Sequence, residues 1–149
     1  MQSVQIKAVE SKDYDNWLPL WKNYQRFYEV DIPECVTLNT WLRFLDPAEP
    51  MFAALAMIGD QASGLVHSIY HRSAWAMSDH CYLQDLFVAD YARGHGIGRA
   101  LIEHVYEDAR RRGASRVHWL THETNHTAMQ LYDRIADRSS FIQYRKLLL

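Results

Sequence analysis

A glycine-rich segment at residues 93–101 (RGHGIGRAL) restricts the possible folds of this chain more than any other part of its sequence. The preceding residues 82–88 (YLQDLFV) are mostly apolar and are typical of a buried strand. The following residues place apolar side chains on one helical face, namely Leu101, Ile102, Val105, Tyr106 and Ala109. The chain is therefore predicted to pass from a strand through a tight turn into a helix.

A strand, a glycine-rich turn and a helix start, in this order, form an anion-binding site. The first N–H groups of a helix lack partners within the helix, and the helix dipole places about half a positive charge there. Gly94, Gly96 and Gly98 lack the Cβ atoms that would hold an anion away from these amides. Arg93 and Arg99 add cationic donors at the two ends of the segment. The segment therefore predicts a phosphate-binding loop.

The spacing of the glycines argues against two common nucleotide-binding motifs. The Rossmann motif needs G-x-G-x-x-G, and the P-loop needs G-x-x-x-x-G-K-[ST]. In this chain the glycines alternate, and no Lys-Ser or Lys-Thr pair follows them. The pattern Arg93-x-x-Gly96-x-Gly98 instead resembles [Arg/Gln]-x-x-Gly-x-[Gly/Ala] of the GNAT N-acetyltransferase superfamily, whose loop wraps the pyrophosphate of coenzyme A. For the loop alone, an ordinary strand-to-helix turn is the simpler alternative.

A second motif downstream resembles the same superfamily. Residues 116–123 predict a strand, and residues 125–135 predict a short helix. Four residues match the superfamily pattern N-x-x-A-x-x-[L/F]-Y, namely Asn125, Ala128, Leu131 and Tyr132. Residues 80–135 resemble most closely the branch that acetylates histone tails and polyamines, and the diamine acetyltransferases are more distant relatives.

The resemblance implies an α/β protein with the GNAT fold: a mixed central sheet flanked by helices, in which splayed strands form the acetyl-CoA cleft. With 149 residues, the chain is expected to form a single N-acetyltransferase domain, residues 1–149. The predicted order is β-α-α-β-β-β-α-β-α-β, with helices on both faces because the central strands are apolar on both sides. The predicted elements are strands at 4–9, 51–58, 64–71, 81–88, 116–123 and 141–149, a helix lined by Trp17 to Tyr28, and helices at 38–45, 98–112 and 125–135.

The resemblance also implies which residues bind acetyl-CoA, the expected co-substrate, and it implies no metal. The strand at 84–88 is expected to diverge from the strand at 117–122, with the pantetheine arm in the gap. The Val88 N–H is expected to polarise the acetyl carbonyl, because a backbone amide needs no reorganisation as charge develops. The implied acetyl-CoA-binding residues are Leu86, Phe87, Val88, Arg93, Gly94, His95, Gly96, Ile97, Gly98, Arg99, Asn125 and Tyr132.

Tyr132 is the predicted general acid, because the family places a tyrosine hydroxyl near the sulfur at this position. A phenol with a pKa of about 10 is protonated at neutral pH and can stabilise a leaving thiolate. The alternative is that Tyr132 only packs a helix face. Asn125 is expected to cap the same helix and to contact the pantetheine arm.

The general base is less well defined by the sequence. Gln84 stands where diamine acetyltransferases carry a glutamate, and glutamine cannot accept a proton. Asp85 is therefore a candidate base acting through water, or no single residue serves as base. Together with Glu29, Asp31 and Glu34, Asp85 is also expected to attract a cationic amine, although each of these residues alone is typical of a surface charge.

The distribution of charge supports a cationic acceptor. The net charge is −2, but residues 1–92 carry twelve acidic and six basic residues, and residues 93–149 carry six and ten. The basic part contains the phosphate loop, which leaves an acidic part for the second substrate. The partner is thus predicted to be an amine, such as a polyamine, a lysine side chain or another small basic amine.

The sequence also bears on nucleic-acid binding, membrane insertion and cellular location. The arginines at 110–112 fit a helix C-terminus better than a nucleic-acid site. No apolar stretch suggests a membrane span or a signal peptide, and Cys35 and Cys81 are expected to be buried free thiols of a cytoplasmic protein.

A homodimer is expected, because many relatives pair through the C-terminal region. The usual glycine after the Leu-Tyr pair is absent here, so the C-terminal part is expected to differ from the family pattern.

The histidines raise the alternative of a metal site, and the fold class leaves a non-enzymatic alternative. Residues 122–126 (HETNH) match the zinc-protease motif H-E-x-x-H, but the predicted strand and helix boundary inside the motif argues against it. The pairs His67/His71 and His118/His122 are too far apart on a strand for one ion and are expected to be ordinary sheet residues. The non-enzymatic alternative is an acyl-CoA-binding sensor or regulatory module that has lost catalysis.

Overall fold

A computed structural model describes residues 3–149. Residues up to Trp119 form one compact unit, and Leu120–Leu149 form a second. The first unit contains the strands β1 (Val4–Ala8), β2 (Met51–Ile58), β3 (Gln61–His71), β4 (His80–Val88) and β5 (Arg116–His118), and the helices α1 (Tyr14–Phe27), α2 (Glu34–Leu45) and α3 (Ile97–Arg111). The second unit contains the helix α4 (His126–Ile135).

The five strands form one mixed sheet in the order β1-β2-β3-β4-β5. The first four strands pair antiparallel, and β4 pairs parallel with β5. A two-residue turn at Gly59 and Asp60 joins β2 to β3, and Gly59 adopts a φ of 59° there. Such a turn favours glycine because its backbone must enter the left-handed region. The mixed α/β architecture predicted from the sequence is confirmed.

Helices cover both faces of the sheet, as the apolar strands predicted. On one face, tryptophans of α1 and α2 form a core with the strands, comprising Trp17, Leu20, Trp21, Trp41, Leu55, Leu65, Phe87 and Ala89. On the other face, α3 lies against Gly64, where an added Cβ would come within 3.1 Å of Leu101 and 3.2 Å of Ile97. Because neighbouring strand residues point to opposite faces, Gly64 and Leu65 contact different helices.

A β-bulge at Gln84 changes the direction of the side chains along β4. The register between β3 and β4 shifts here: Ser68 pairs with Leu83, but His67 pairs with Asp85. In a regular strand, Leu83 and Asp85 would point to the same face. The extra residue places Leu83 on the face of α3 and Asp85 on the face of α1.

Two expectations about the elements are wrong. The strand predicted at 116–123 covers only Arg116–His118, and residues 136–149 contain no helix or strand. The apolar side chains of this last segment, including Phe141 and Ile142, are exposed, so no burial stabilises an extended ladder there. Cys35 is also exposed on α2, contrary to expectation, whereas Cys81 is buried. In the part of the chain that the structure describes, no helix has the length and apolar character needed to cross a membrane.

Candidate active site

The glycine loop leads into α3 with the backbone geometry that an anion site needs. Gly94 and Gly96 adopt φ values of 83° and 76°, and Gly96 is the N-cap residue of α3. A Cβ at either glycine would meet no atom within 4 Å, so the space beside the loop is open. The Ala100 N–H closes the first helical hydrogen bond to the Gly96 carbonyl at 3.0 Å, and the amides before it lack partners within the helix. This arrangement fits a phosphate group.

Gly98 has a different role from the other two glycines. It lies inside the first turn of α3 and does not have a positive φ, so its expected contribution is only the missing Cβ beside the helix amides. Arg99 forms an ion pair with Glu103 at 2.9 Å along the helix, and its side chain is half exposed. Its guanidinium therefore remains accessible to a second anion.

Arg93 links the loop to the sheet and to α1. Its Nε donates to the Val88 carbonyl at 3.2 Å, and its guanidinium forms an ion pair with Asp90 at 3.0 Å. The same guanidinium lies 5.3 Å from the centre of the Phe27 ring at the end of α1. Because the group is also partly exposed, it holds the loop in place and still presents donors at the surface.

One edge of β4 is open beyond its pairing with β5. The β4–β5 pairing in the described residues ends at Tyr82 and His118. The Ala89 N–H donates to the Ser63 carbonyl at 2.8 Å on β3. Because backbone groups alternate between the two sides of a strand, the groups of Leu86 and Val88 face away from β3, toward the open edge. β5 ends at His118, so no strand in the described residues pairs with β4 from Leu83 to Val88 on this side.

Asp85 lies in a buried hydrogen-bond network on the face of α1. Tyr24 Oη donates to Asp85 Oδ1 at 2.6 Å, and His67 Nδ1 lies 2.9 Å from Asp85 Oδ2. Trp17 Nε1 donates to His67 Nε2 at 2.9 Å. Asp85 is only 9% exposed, and His67 is 2% exposed. His67 thus lies on a strand, as expected, and also belongs to this buried network.

The partners of His67 determine its tautomer. An indole N–H can only donate, so Nε2 of His67 must accept and carries no proton. The proton of the neutral ring is then on Nδ1, which donates to Asp85. Asp85 thus accepts a hydrogen bond at each carboxylate oxygen, which fixes the orientation of the group.

Aromatic rings surround this carboxylate. Burial, followed by the charge of Asp85, raises the pKa of Tyr24, Tyr28 and Tyr82 above the ordinary value, so all three hydroxyls remain protonated. The ring of Tyr24 stacks on Trp21 with centroids 4.9 Å apart and contacts Tyr28 at 4.8 Å. Tyr28 itself is half exposed, so this ring lies at the surface end of the aromatic cluster. A carboxylate beside aromatic rings is a favourable binding site for a cation.

The other acidic residues proposed with Asp85 differ from it. Glu29, Asp31 and Glu34 are exposed in the connection between α1 and α2 and at the start of α2. Asp85 is buried and bonded at both oxygens. Asp85 is therefore a buried carboxylate, whereas the other three residues are surface charges.

The sequence motif in the second unit lies on α4 and the turn before it. Asn125 occupies the N-cap position, but its side chain donates to Thr121 Oγ1 at 3.1 Å and makes no capping bond, contrary to expectation. Tyr132 lies within α4 and is partly buried. His122 precedes the helix, and His126 is its first residue, so the H-E-x-x-H motif does not lie on one helix. Among residues 3–149, no three His, Cys, Asp or Glu side chains are placed to hold a metal ion.

Sequence reasoning missed Trp17, Tyr24 and His67 as members of the Asp85 network. Trp17 and Tyr24 were predicted only as parts of an apolar helix face. A usable signal was present, because His67 and Asp85 are ionisable residues in the middle of two mostly apolar strands. Buried polar groups need partners, which makes such pairs candidates for contact.

The fold and the two motifs define a class of acyl-transferring enzyme. The family model described as "Acetyltransferase (GNAT) family" matches residues 15–136, and the chain therefore belongs to the GNAT acetyltransferase family. It is accordingly an N-acetyltransferase, and acetyl-CoA is the acetyl donor of this family.

Individual relatives agree with this assignment. The chain is 38% identical over 144 residues to the D-amino-acid N-acetyltransferase HPA3 of Saccharomyces cerevisiae, covering 95% of this chain and 89% of that protein. It is 30% identical over 81 residues to the thialysine N-epsilon-acetyltransferase of Caenorhabditis elegans, covering 54% of this chain and 50% of that one. The aminoglycoside N-acetyltransferase AAC(6')-Iy in complex with CoA shares the fold, with a TM-score of 0.85 at 16% identity over 100% of this chain and 97% of that chain.

Proposed function

We propose that this enzyme transfers the acetyl group of acetyl-CoA directly to a small primary amine, which enters as a cation at Asp85. The observation that carries the proposal is the buried carboxylate of Asp85, which accepts a hydrogen bond at each oxygen beside aromatic rings. It lies on β4 one residue before Leu86 and three residues before Val88, whose backbone groups face the open strand edge. A cation and a backbone-bound acyl group would thus bind along the same short stretch of one strand.

Acetyl-CoA supplies the acetyl group as an activated thioester. The amides at the start of α3, with Arg93, Gly94, His95 and Gly96, are proposed to hold its pyrophosphate. The left-handed glycines and the open space beside them support this role. Ile97, Gly98 and Arg99 contribute the first amides of the helix, and Arg99 adds its charge.

Backbone amides of β4 are proposed to position the acyl group. Leu86 and Val88 direct their N–H and C=O groups to the open edge, and Phe87 packs between them toward the core. The Val88 N–H is the proposed donor to the acetyl carbonyl, since a fixed backbone donor stabilises developing negative charge without rearrangement.

Asp85 is proposed to attract the ammonium form of the acceptor and to assist the loss of its proton, through water. A carboxylate that already accepts two hydrogen bonds retains lone pairs for a third donor. Because an ammonium ion is not a nucleophile, one proton must leave before the nitrogen attacks the thioester carbon.

Tyr132 is proposed to protonate the leaving thiolate. The support is its position in the pattern Asn125-x-x-Ala128-x-x-Leu131-Tyr132, within the range that matches the family model. Asn125 is proposed to contact the pantetheine arm, on the same support.

The acceptor is proposed to belong to the small basic amines, including basic amino acids, polyamines and lysine side chains. The two relatives named for their substrates act on D-amino acids and on thialysine. These compounds share a primary amine that is cationic at neutral pH, which is the chemistry that the Asp85 site favours.

The test is thiol release from acetyl-CoA with D-lysine, L-lysine, thialysine, spermidine and a lysine-containing peptide, with products identified by mass spectrometry. We expect turnover with at least one of these amines and a loss of turnover in D85N but not in the surface control D31N. Binding of acetyl-CoA without turnover on any amine would instead favour the sensor alternative. An equally active D85N would show that the acceptor does not bind at Asp85.

Assembly and location are further parts of the proposal. We propose one acetyltransferase domain, because the matched range crosses from the first compact unit into the second. A cytoplasmic homodimer is proposed, supported by two free thiols and by exposed apolar side chains after Ser140, namely Phe141, Ile142, Tyr144, Leu147, Leu148 and Leu149. Sedimentation of the full chain and of a variant ending at Ser140 tests it: a dimer that becomes a monomer supports the dimer, and a monomeric full chain contradicts it.

A further inference from the structure

A chain of hydrogen bonds runs from α1 through β3 to the carboxylate on β4. Trp17 donates to His67 at 2.9 Å, and His67 contacts Asp85 at 2.9 Å. Trp17 is fully buried, and His67 is nearly so. These three hydrogen-bonded side chains place polar groups beside a core made of tryptophan, leucine and phenylalanine side chains.

We propose that His67 is a positioning residue for Asp85: with its tautomer set by Trp17, it donates to the carboxylate and keeps it oriented toward the acceptor amine. The inference rests on the proposed function, because it assumes that Asp85 is where the amine binds. His67 does not touch the acceptor in this scheme and acts only through Asp85.

The cross-strand geometry supports this role. His67 and Asp85 are direct register partners on β3 and β4, and the bulge at Gln84 begins immediately beyond this pair. Bulges redirect side chains and are frequent beside active sites. Here the bulge brings the carboxylate to the same side of the sheet as the imidazole, where its Oδ2 accepts the hydrogen bond from Nδ1–H.

A purely structural role would favour a different residue. A buried imidazole must have both nitrogens satisfied, and an apolar side chain of similar volume fills a core at lower cost. His67 packs against Trp21 at 4.9 Å and Phe44 at 4.5 Å between ring centres, a setting that leucine would suit. Leucine could reproduce neither the donor to Asp85 nor the acceptor for the Trp17 N–H, and of these two contacts only the donor acts directly on the carboxylate.

The test compares His67→Leu, which removes the donor, with His67→Asn, whose side-chain N–H can still reach Asp85. We expect His67→Leu to lower kcat/KM for D-lysine and spermidine by about ten- to a hundredfold, the range of one charge-assisted hydrogen bond, with KM for acetyl-CoA unchanged. His67→Asn should recover most of this loss. The matched control His104→Leu changes a partly buried histidine on α3 and should retain activity.

A double-mutant cycle separates positioning from general destabilisation. If His67 acts through Asp85, His67→Leu should cause no further loss in the D85N background. An equal loss in both backgrounds would overturn the inference. If D85N is impaired and His67→Leu is fully active, only this inference fails, whereas a fully active D85N removes the acceptor site as well.

A measurement on the unmodified protein gives an independent answer even if the leucine variant fails to fold. In protein with 15N-labelled histidine, NMR should show His67 with its proton on Nδ1 and none on Nε2 at neutral pH. A proton on Nε2 would overturn the inference, because that nitrogen could then not accept from Trp17.

Discussion

The hydroxyl of Tyr24 lies 2.6 Å from Oδ1 of Asp85, although 61 residues separate them in the chain. Tyr24 is on the last turns of α1, and Asp85 is on β4. The hydrogen bond is charge-assisted and therefore among the stronger kinds in proteins. The placement of α1 on the sheet thus fixes one side of the carboxylate, while β3 fixes the other through His67.

Replacing Tyr24 by phenylalanine should weaken catalysis without creating a cavity in the core. The ring remains, but Oδ1 of Asp85 loses its donor, and we expect kcat/KM for the amine to fall about tenfold. Tyr28→Phe is the matched control, because the ring of Tyr28 contacts Tyr24 while the described structure shows no hydrogen bond from Tyr28 to Asp85. Steady-state kinetics with D-lysine measure both. Equal effects of the two changes would contradict a specific role of the Tyr24 hydroxyl.

Gly96 and Gly113 form a matched pair at the two ends of α3. Their φ values are 76° and 75°, and a Cβ at either residue would meet no atom within 4 Å. Alanine at either position should therefore lower the free energy of unfolding by a similar amount, about 1–2 kcal/mol, because of the left-handed backbone. Only Gly96→Ala should raise the KM for acetyl-CoA. Urea denaturation and kinetics check the two parts, and a KM that changes equally in both variants would argue against the phosphate loop.

Tyr132→Phe should lower kcat by about a hundredfold or more, the loss typical of a missing general acid. The affinity for acetyl-CoA, measured by calorimetry, should stay nearly unchanged because only the hydroxyl is removed. Tyr144→Phe serves as the control, since Tyr144 is 89% exposed. A fully active Tyr132→Phe variant would exclude this hydroxyl from the mechanism.

Mild acid should destabilise the protein through histidines of the first unit. His118 contacts His71 and His80, with ring centres 5.7 Å and 6.5 Å apart. Burial, followed by the charge of Arg116 and these histidines, lowers the pKa of His118 below 6.5. Burial likewise lowers the pKa of His104 below 6.5.

The direction of the pH effect follows from linkage. Because the unfolded chain binds protons at these histidines before the folded protein does, their contribution is full above pH 6.5 and is lost as the pH falls below it. Urea midpoints measured between pH 8 and about pH 5.5, above the range in which carboxylates titrate, should therefore decrease toward acid. His118→Gln should reduce the decrease, and stability that rises toward acid would contradict the argument.

Much of the fold could be predicted from local patterns. The strand Met51–Ile58 has the predicted bounds, and α3 begins one residue before its predicted start. Apolar runs and glycines act over a few residues, so the sequence alone reveals their effect. The strand expected at 141–149 was wrong, because an apolar segment becomes a strand only where a neighbour pairs with it.

The candidate site could be predicted only in part. The glycine loop and the importance of Asp85 are visible in the sequence, but the partners of Asp85 are not. His67 and Tyr24 reach it across 18 and 61 residues, and a one-residue change of register would remove both contacts.

The amino-acid sequence by itself determined the strand, turn and helix around residues 93–101, the family motifs and the apolar faces, because these depend on backbone preference and on side-chain periodicity over short distances. Tertiary structure decided that Asp85 is a buried carboxylate bonded by Tyr24 and His67. The physical reason is the bulge at Gln84, which turns Asp85 from the face of α3 to the face of α1 through strand pairing that no local pattern encodes.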